Sequence, residues 1–397
     1  PATHDCPFSE TKYRQSAGPA AARACSEQTG HPDQAIHTTD LDCTRINGCA
    51  EAITPIMTQV RVTLRDIAHQ AGVHPSTVSR VLNHGEHGLI SADVVKRVTD
   101  MAAELGYTPN WSAYQLRTNR SHTVAVMVTD ITNHMNLQIV RGIEDRLLEA
   151  GLTPMICSTE QRPERIDSIT AMMRSGQFDG MILSTAEPND PIISACQRTG
   201  LPFVVVGRNE APPGMPTVII DETHGTDLVI KHLADLGHRD LALIVGGQNL
   251  TAGQIRHQCF MEAVEAHGLT VDPAHIIFSN DYTIDGGRVC CERLLDNGVD
   301  VTAIIAVNDL VAMGCYQACT ARGIKCPDDV SITGYNEIRY SALVSPSLTT
   351  VRARSLDAGV ALADILIECI ENPGVPARQE VVLPELIIRE STGPVRA

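Results

Sequence analysis

The chain has 397 residues, of which 43% are apolar, 20% charged and 3% aromatic. That length and apolar fraction exclude a disordered tail or a disulfide-stapled mini-protein, and they call for two or three domains with sizeable cores. The net charge of -16 argues at first against nucleic acid, but it is unevenly distributed. Residues 1–57 carry 4 basic and 7 acidic side chains, residues 58–123 carry 7 and 5 together with five histidines, and residues 124–397 carry 20 and 35. Only the middle segment is not acidic, so contact with phosphates is expected there. The 13 cysteines are an odd number without C-x-x-C pairs, which reads as reduced thiols in a cytosolic protein. No apolar run approaches the roughly 18–20 residues of a membrane span. The N-terminal stretch lacks a charged segment followed by an apolar one, so secretion is not expected.

Residues 1–56 show no sustained helical or strand period, and the first methionine is Met57. The segment 1–57 is therefore expected to be a disordered or non-native extension. His4, Cys6, Cys25, His31, His37, Cys43 and Cys49 offer metal-type ligands, but their spacings match no structural zinc pattern. No metal and no cofactor are expected.

Over 58–108 the pattern becomes helical. Thr63 with Asp66 is a variant of the capping box, and Leu64, Ile67, Ala68 and Ala71 follow at helical spacing until Gly72. Pro75, Ser76 and Thr77 open a second helix with Val78, Val81 and Leu82 as its buried stripe. Ser91 is expected to cap a third, whose Val94, Val95, Val98, Ala102 and Leu105 face inward until Gly106. Three short helices with a Gly-Val turn between the first two describe a helix-turn-helix.

The stretch VTLRDIAHQAGVHPSTVSRVLN (62–83), followed by ISADVVKRVTDMAAELGYTPN (90–110), resembles the DNA-binding headpiece of the LacI/GalR family of bacterial transcription regulators. The resemblance implies that the Pro75–Leu82 helix enters the major groove. Pro75, Ser76 and Arg80 would reach base edges, Arg80 as a bidentate partner of guanine. Thr63, Thr77, Ser79 and Asn83 would bond to phosphates and set the register. His74 and Pro75 stand where many relatives carry small polar residues. The next segment, 109–121, reads by composition as a linker. The resemblance implies a hinge helix that folds on operator DNA, with Leu116 wedged into the minor groove at the dyad and Arg117 and Arg120 near the backbone.

From Thr123 apolar strands alternate with helices: TVAVMV, TPMIC, GMILS, FVVVG and TVIID, then DLALIVGG, AIIAVND and VSITGYN. Two such series predict two doubly wound parallel lobes over 122–397, with sheets covered on both faces. The fold class is an all-α helix-turn-helix headpiece plus a two-lobed α/β core. Ligands of open α/β sheets bind beyond the carboxyl ends of the strands. The polar residues there are Asp130, Asn133, His134 and Met135; Ser184, Thr185 and Glu187; Arg256; Asn308 and Asp309; and Asn336 and Glu337. Asp309 could instead only cap a helix, and Arg256 could be a solvated charge.

The resemblance continues in RGIE (141–144), DGMILS (179–184), VND (307–309), GYNE (334–337) and SPSLTTV (345–351). It implies a periplasmic-binding-protein-like core whose cleft holds a small effector, usually a sugar or a nucleobase. Arg256, Asn308 and Asn336 match the main polar contacts, Tyr282 matches an aromatic that stacks on the ligand, and His134, Met135 and Thr185 complete the expected set. Asn336 replaces the aspartate frequent in sugar-binding members.

Two rival classes are weaker. An enzyme would need a constellation such as G-x-S-x-G, a P-loop or H-E-x-x-H, none of which is present. A transport-type binding protein would have no use for residues 58–121. The expected protein is a non-enzymatic, cytoplasmic transcription regulator, most simply a repressor. Its expected partners are a palindromic operator, a small effector, and further copies of itself in a homodimer or dimer of dimers.

Overall fold

The computed structural model describes residues 62–84, 90–108, 115, 120–128, 134–159, 162–183, 191–208, 214–248, 251–279, 281–298 and 300–395. The segment 1–57 and most of 109–121, including Leu116 and Arg117, lie outside the described residues. The chain divides at Thr108 into two compact units.

The first unit holds α1 (Leu64–Ala71), α2 (Pro75–His84) and α3 (Ala92–Glu104). Thr63 caps α1 in a reciprocal box. Its hydroxyl accepts from the Asp66 N–H at 3.4 Å, and the Asp66 carboxylate accepts from the Thr63 N–H at 2.8 Å. Hydrogen bonds donated by the Thr63 hydroxyl and then by its N–H hold the Asp66 carboxyl below its usual value. Gly72 ends the helix in the left-handed region, φ 64°, a conformation that costs glycine least. Ile67, Ala68, Ala71, Val78, Val81, Val98 and Ala102 form one core. The expected Ser91 cap is corrected in part: Ser91 takes the N-cap position of α3 with extended backbone, but its side chain makes no capping hydrogen bond.

The second unit is built on two six-stranded sheets. In chain order its elements are β1 (Thr123–Val128), α4 (His134–Glu149), β2 (Thr153–Ser158), α5 (Pro163–Arg174), β3 (Gly180–Leu183), α6 (Pro191–Thr199), β4 (Phe203–Arg208) and β5 (Thr217–Ile220). There follow α7 (Glu222–Asp235), β6 (Leu241–Gly246), α8 (Thr251–Ala266), β7 (Ile276–Ser279), α9 (Ile284–Asp296), β8 (Ala303–Ala306), α10 (Asp309–Ala321) and β9 (Ser331–Tyr335). The chain closes with β10 (Thr349–Arg352), α11 (Ser355–Glu371), β11 (Gln379–Val382) and β12 (Glu385–Ile387). The first sheet has the order β11-β5-β4-β3-β1-β2 and the second β12-β10-β9-β8-β6-β7. All pairs are parallel except β10 with β12.

The apolar strands read from sequence are these strands, and their buried side chains pack against helices as a parallel sheet requires. β2 departs from that reading. It is an edge strand, with Met155 39% and Ile156 45% exposed, so cover on both faces fails there in the single chain. Asp179 of the DGMILS motif anchors the start of the domain: its carboxylate accepts from the backbone N–H groups of Ser121 (2.6 Å) and His122 (2.9 Å).

The chain passes between the sheets from β5 to α7, from β10 to α11 and from β11 to β12. Each passage leaves a strand at its carboxyl end, so the carboxyl ends of both sheets meet in one crossing region. That is where ligand sites of such folds are found. No described helix is long and apolar enough to cross a membrane.

Candidate functional site

In the helix-turn-helix unit, α2 buries Val78 and Val81 and carries Ser76 and Arg80 exposed on the other face. Pro75, Thr77 and Ser79 are half-buried beside them, and Asn83 lies in the last turn of α2. Ser76, Ser79 and Arg80 are spaced at helical intervals, so they belong to one strip. The start of α2 has a feature that sequence reasoning missed. The His74 ring does the work of an N-cap: its Nδ1 accepts from the Ser76 N–H at 3.3 Å and lies 2.8 Å from the Ser76 hydroxyl oxygen. Thr63 is committed to its cap, its hydroxyl donating to Asp66 at 2.7 Å. Leu116 and Arg117 lie outside the described residues, and Arg120 donates to the Ile370 carbonyl at 3.3 Å.

In the second unit, four of the expected effector residues come together at the carboxyl ends of β6, β8 and β9. Asn308 caps α10, its Oδ1 accepting from the Val311 N–H (2.8 Å) while its Nδ2 donates to the Tyr282 carbonyl (3.1 Å). Tyr282 rests its phenol on Gly246, the last residue of β6, where a Cβ would overlap the tyrosine hydroxyl. Arg256, on α8, donates through Nη1 to the carbonyl of Val307 at 2.7 Å, and its guanidinium carbon lies 4.0 Å from the centre of the Tyr335 ring. Asn336 follows Tyr335 directly.

Arg256 is not a solvated charge. It is 9% exposed and forms a bidentate pair with Glu222, Nε to Oε2 at 3.0 Å and Nη2 to Oε1 at 2.7 Å. Glu222 is itself 1% exposed, on the first turn of α7 just past the crossing from β5. Burial opposes the guanidinium charge and Glu222 more than offsets it, so Arg256 holds its proton even more tightly than usual. A small cavity of about 20 Å³ lies against Arg256, lined also by Thr226, Phe260, Val307, Gly334 and Tyr335.

Asn336 and Glu337 are consecutive non-glycine residues with positive φ, 101° and 53°. Such backbone costs free energy and persists only where surroundings enforce it. Here two arginines do so: Arg352 and Arg389 both bond the Glu337 carboxylate, Arg389 through Nη2 at 2.7 Å. The Asn336 N–H donates to Val351 (2.7 Å), and its Oδ1 is buried without a hydrogen bond among the described residues.

Asp309 has a role other than the helix cap considered from sequence, since Asn308 fills that position. It is fully buried and accepts from the Ile338 N–H (2.6 Å), the Ser341 hydroxyl (2.7 Å) and the Thr350 hydroxyl. Gly334 leaves room for its carboxylate. The motifs VND, GYNE and SPSLTTV thus meet at one carboxylate. Burial pushes Asp309 up to about 6 against those three donors. Because this lies above the ordinary 3.8, the folded state holds the proton more tightly. The contribution to stability is complete below pH 4 and is lost as the pH rises through about 6, on the order of 3 kcal/mol. Urea unfolding from pH 4.5 to 7.5 should show wild type losing this advantage over Asp309→Asn with rising pH. A constant difference between the two proteins would contradict the assignment.

His134 and Met135 begin α4, but their side chains, and Thr185 and Glu187, lie outside the described residues. Among the described residues no cluster of His, Cys, Asp or Glu could hold a metal ion. Burial pushes the Cys326 thiol up to about 12, far from a nucleophilic thiolate.

The model of bacterial regulatory proteins of the lacI family matches residues 63–110, and that of the periplasmic binding protein-like domain matches residues 230–392. The transcriptional regulator DegA of Bacillus subtilis (strain 168), described as HTH-type, is 32% identical over 341 residues, covering 85% of this chain and 99% of its own. Among solved structures, a Lac repressor dimer bound to operator and the anti-inducer ONPF superposes with a TM-score of 0.75 at 25% identity, covering 84% of this chain and 99% of that one. A LacI family transcriptional regulator from Enterococcus faecium with bound ribose superposes with a TM-score of 0.62 at 28% identity, covering 69% of this chain and all of the other. A helix-turn-helix unit followed in the chain by a two-lobed α/β core, with this likeness along most of the chain, has one reading: the protein belongs to the LacI family of DNA-binding bacterial transcription regulators.

Proposed function

We propose that the protein is a cytoplasmic, non-catalytic repressor that works as a homodimer on a palindromic operator and is released by a small effector, a sugar or a nucleobase. The observation that carries this reading is the convergence of Arg256, Tyr282, Asn308 and Asn336 from separate elements at one end of the second sheet. They offer a guanidinium, an aromatic face and carboxamides, the groups that recognise a polyol or a planar heterocycle. The Asn336 Oδ1, without a hydrogen bond among the described residues, suits a ligand hydroxyl or N–H. In the headpiece, spanning 58–108, Pro75, Ser76 and Arg80 read base edges, while Thr77, Ser79 and Asn83 meet phosphates; Thr63, expected among them, spends its hydroxyl and N–H on Asp66 instead. The hinge, 109–121, sets Leu116 in the minor groove beside Arg117. His134, Met135 and Thr185 contribute from the first lobe of the effector domain, 122–397. Two copies present two headpieces to the two half-sites. The exposed Met155 and Ile156 of the edge strand β2 support self-association. Effector binding changes the relation of the lobes and withdraws both hinges from the operator.

The test is in vitro selection from random duplex DNA at several salt concentrations. Recovery of a palindrome with a flexible central step and a steep salt slope is expected. Enrichment of no sequence, with or without a panel of sugars and nucleobases, would overturn the reading.

Within the cleft, Gly246→Ala tests the placement of Tyr282. The added methyl must displace the phenol, and overpacking of this kind costs about 1–3 kcal/mol. Effector affinity measured by calorimetry should fall while operator affinity holds. Unchanged effector affinity would remove Tyr282 from the site.

A further inference from the structure

The effector reading leaves the charge class of the ligand open, and the surroundings of Arg256 address it. We propose that Glu222 sets that charge: by neutralising Arg256 it makes the cleft select uncharged polar ligands and reject their carboxylate and phosphate counterparts. The inference rests on the effector reading above and extends it to a residue outside the expected site.

Arg256 is the cation of this cluster, and both groups of the pair are buried. Two parallel contacts join Glu222 to Nε and Nη2, and Nη1 is committed to Val307. An anionic ligand could take the bidentate face of the guanidinium, Nε with Nη2, only by displacing Glu222. That would leave a buried carboxylate without its partner, which is among the most unfavourable single changes a protein interior can suffer. An anion that did not displace it would meet the Glu222 charge across the guanidinium. A neutral hydroxyl or carbonyl needs no displacement, because Arg256 carries five N–H donors and the pair with Glu222 and Val307 leaves donors over.

The other groups named in this cluster do not alter the balance. Asn308, Asn336, Tyr282 and Tyr335 are uncharged side chains. The Asp309 carboxylate lies beyond Gly334 and is taken by Ile338, Ser341 and Thr350. Glu337 is held by Arg352 and Arg389. Among these residues Glu222 is therefore the one whose removal leaves a net cation facing the ligand. It also stands at the passage between the lobes, on the first turn of α7, where an anion is favoured by the helix dipole.

The experiment is calorimetry on the full chain, wild type and Glu222→Gln, with matched pairs of probes: ribose with ribonate, glucose with gluconate, uracil with orotate. Wild type is expected to bind the neutral member of at least one pair about 100-fold or more tighter than its acid. Glu222→Gln should shift that ratio at least tenfold toward the acid, because a carboxamide keeps the shape and removes the charge. Wild type binding the acid as tightly as its neutral partner would overturn the proposal and leave the effector site standing. So would an unchanged ratio in a folded Glu222→Gln. Should that variant fail to fold by circular dichroism, the wild-type ratio alone decides. Binding of no probe by either protein would overturn the proposal together with the effector reading.

Discussion

Replacing Arg256 with alanine is expected to abolish effector-triggered release of DNA while the operator complex still forms. It should also lower the stability of the protein by about 3–5 kcal/mol, the usual result of orphaning one member of a buried ion pair. Both effects follow from one geometry. The guanidinium bonds Glu222 twice, bonds the Val307 carbonyl at 2.7 Å and stacks on Tyr335. Truncation strands the Glu222 carboxylate and removes the donors offered to the ligand. Thermal unfolding measures the first effect. Operator titrations with and without effector, run where the variant is folded, measure the second. Arg256→Lys separates charge from shape, since an ammonium keeps the charge but not the planar fork. It should recover part of the stability and little of the response. Release of operator by Arg256→Ala at ordinary effector levels would remove Arg256 from the cleft.

Replacing Arg80 with alanine should act on the other unit alone. Arg80 is exposed, on the face of α2 opposite Val78 and Val81, so its loss opens no cavity. A bidentate contact to a base edge is worth about 1–3 kcal/mol, so affinity for the selected operator should fall about 5- to 150-fold. Affinity for random DNA should change little, and preference at one symmetric pair of base positions should relax. An equal loss on operator and random duplex would make Arg80 a phosphate contact instead.

The headpiece was legible because its signals are local. Thr63 with Asp66, the stripe of Ile67, Ala68 and Ala71, and Gly72 all lie within ten residues, and each does in the structure what its chemistry predicts. His74 escaped because histidine is not among the usual N-cap residues, although its ring reaches the Ser76 N–H. The core strands were legible as apolar runs. The short β11, QEVV, gives no such run, and its return to the first sheet beside β5 is a matter of topology that no local pattern carries.

At the site, residues at strand ends could be named, but their partners could not. Glu222 follows a strand and opens a helix, where an acid reads simply as favoured by the helix dipole. Its partner lies 34 residues onward. Asp309 could be read as a cap because its true donors lie 29, 32 and 41 residues away. Periodicity and capping rules describe a single element, whereas these carboxylates are satisfied across elements. The residues read from sequence were those that face the end of a strand. The buried charges that fix their orientation became visible only in the fold.

In the proposed mechanism, ligand in the cleft controls DNA affinity in the headpiece. Fluorescence anisotropy on the selected operator duplex, titrated with and without saturating ligand from the neutral panel, tests it most directly. At least one ligand should lower operator affinity tenfold or more, about 1.4 kcal/mol of coupling, and leave affinity for random duplex unchanged. A ligand that binds by calorimetry yet leaves operator affinity unaltered would contradict it.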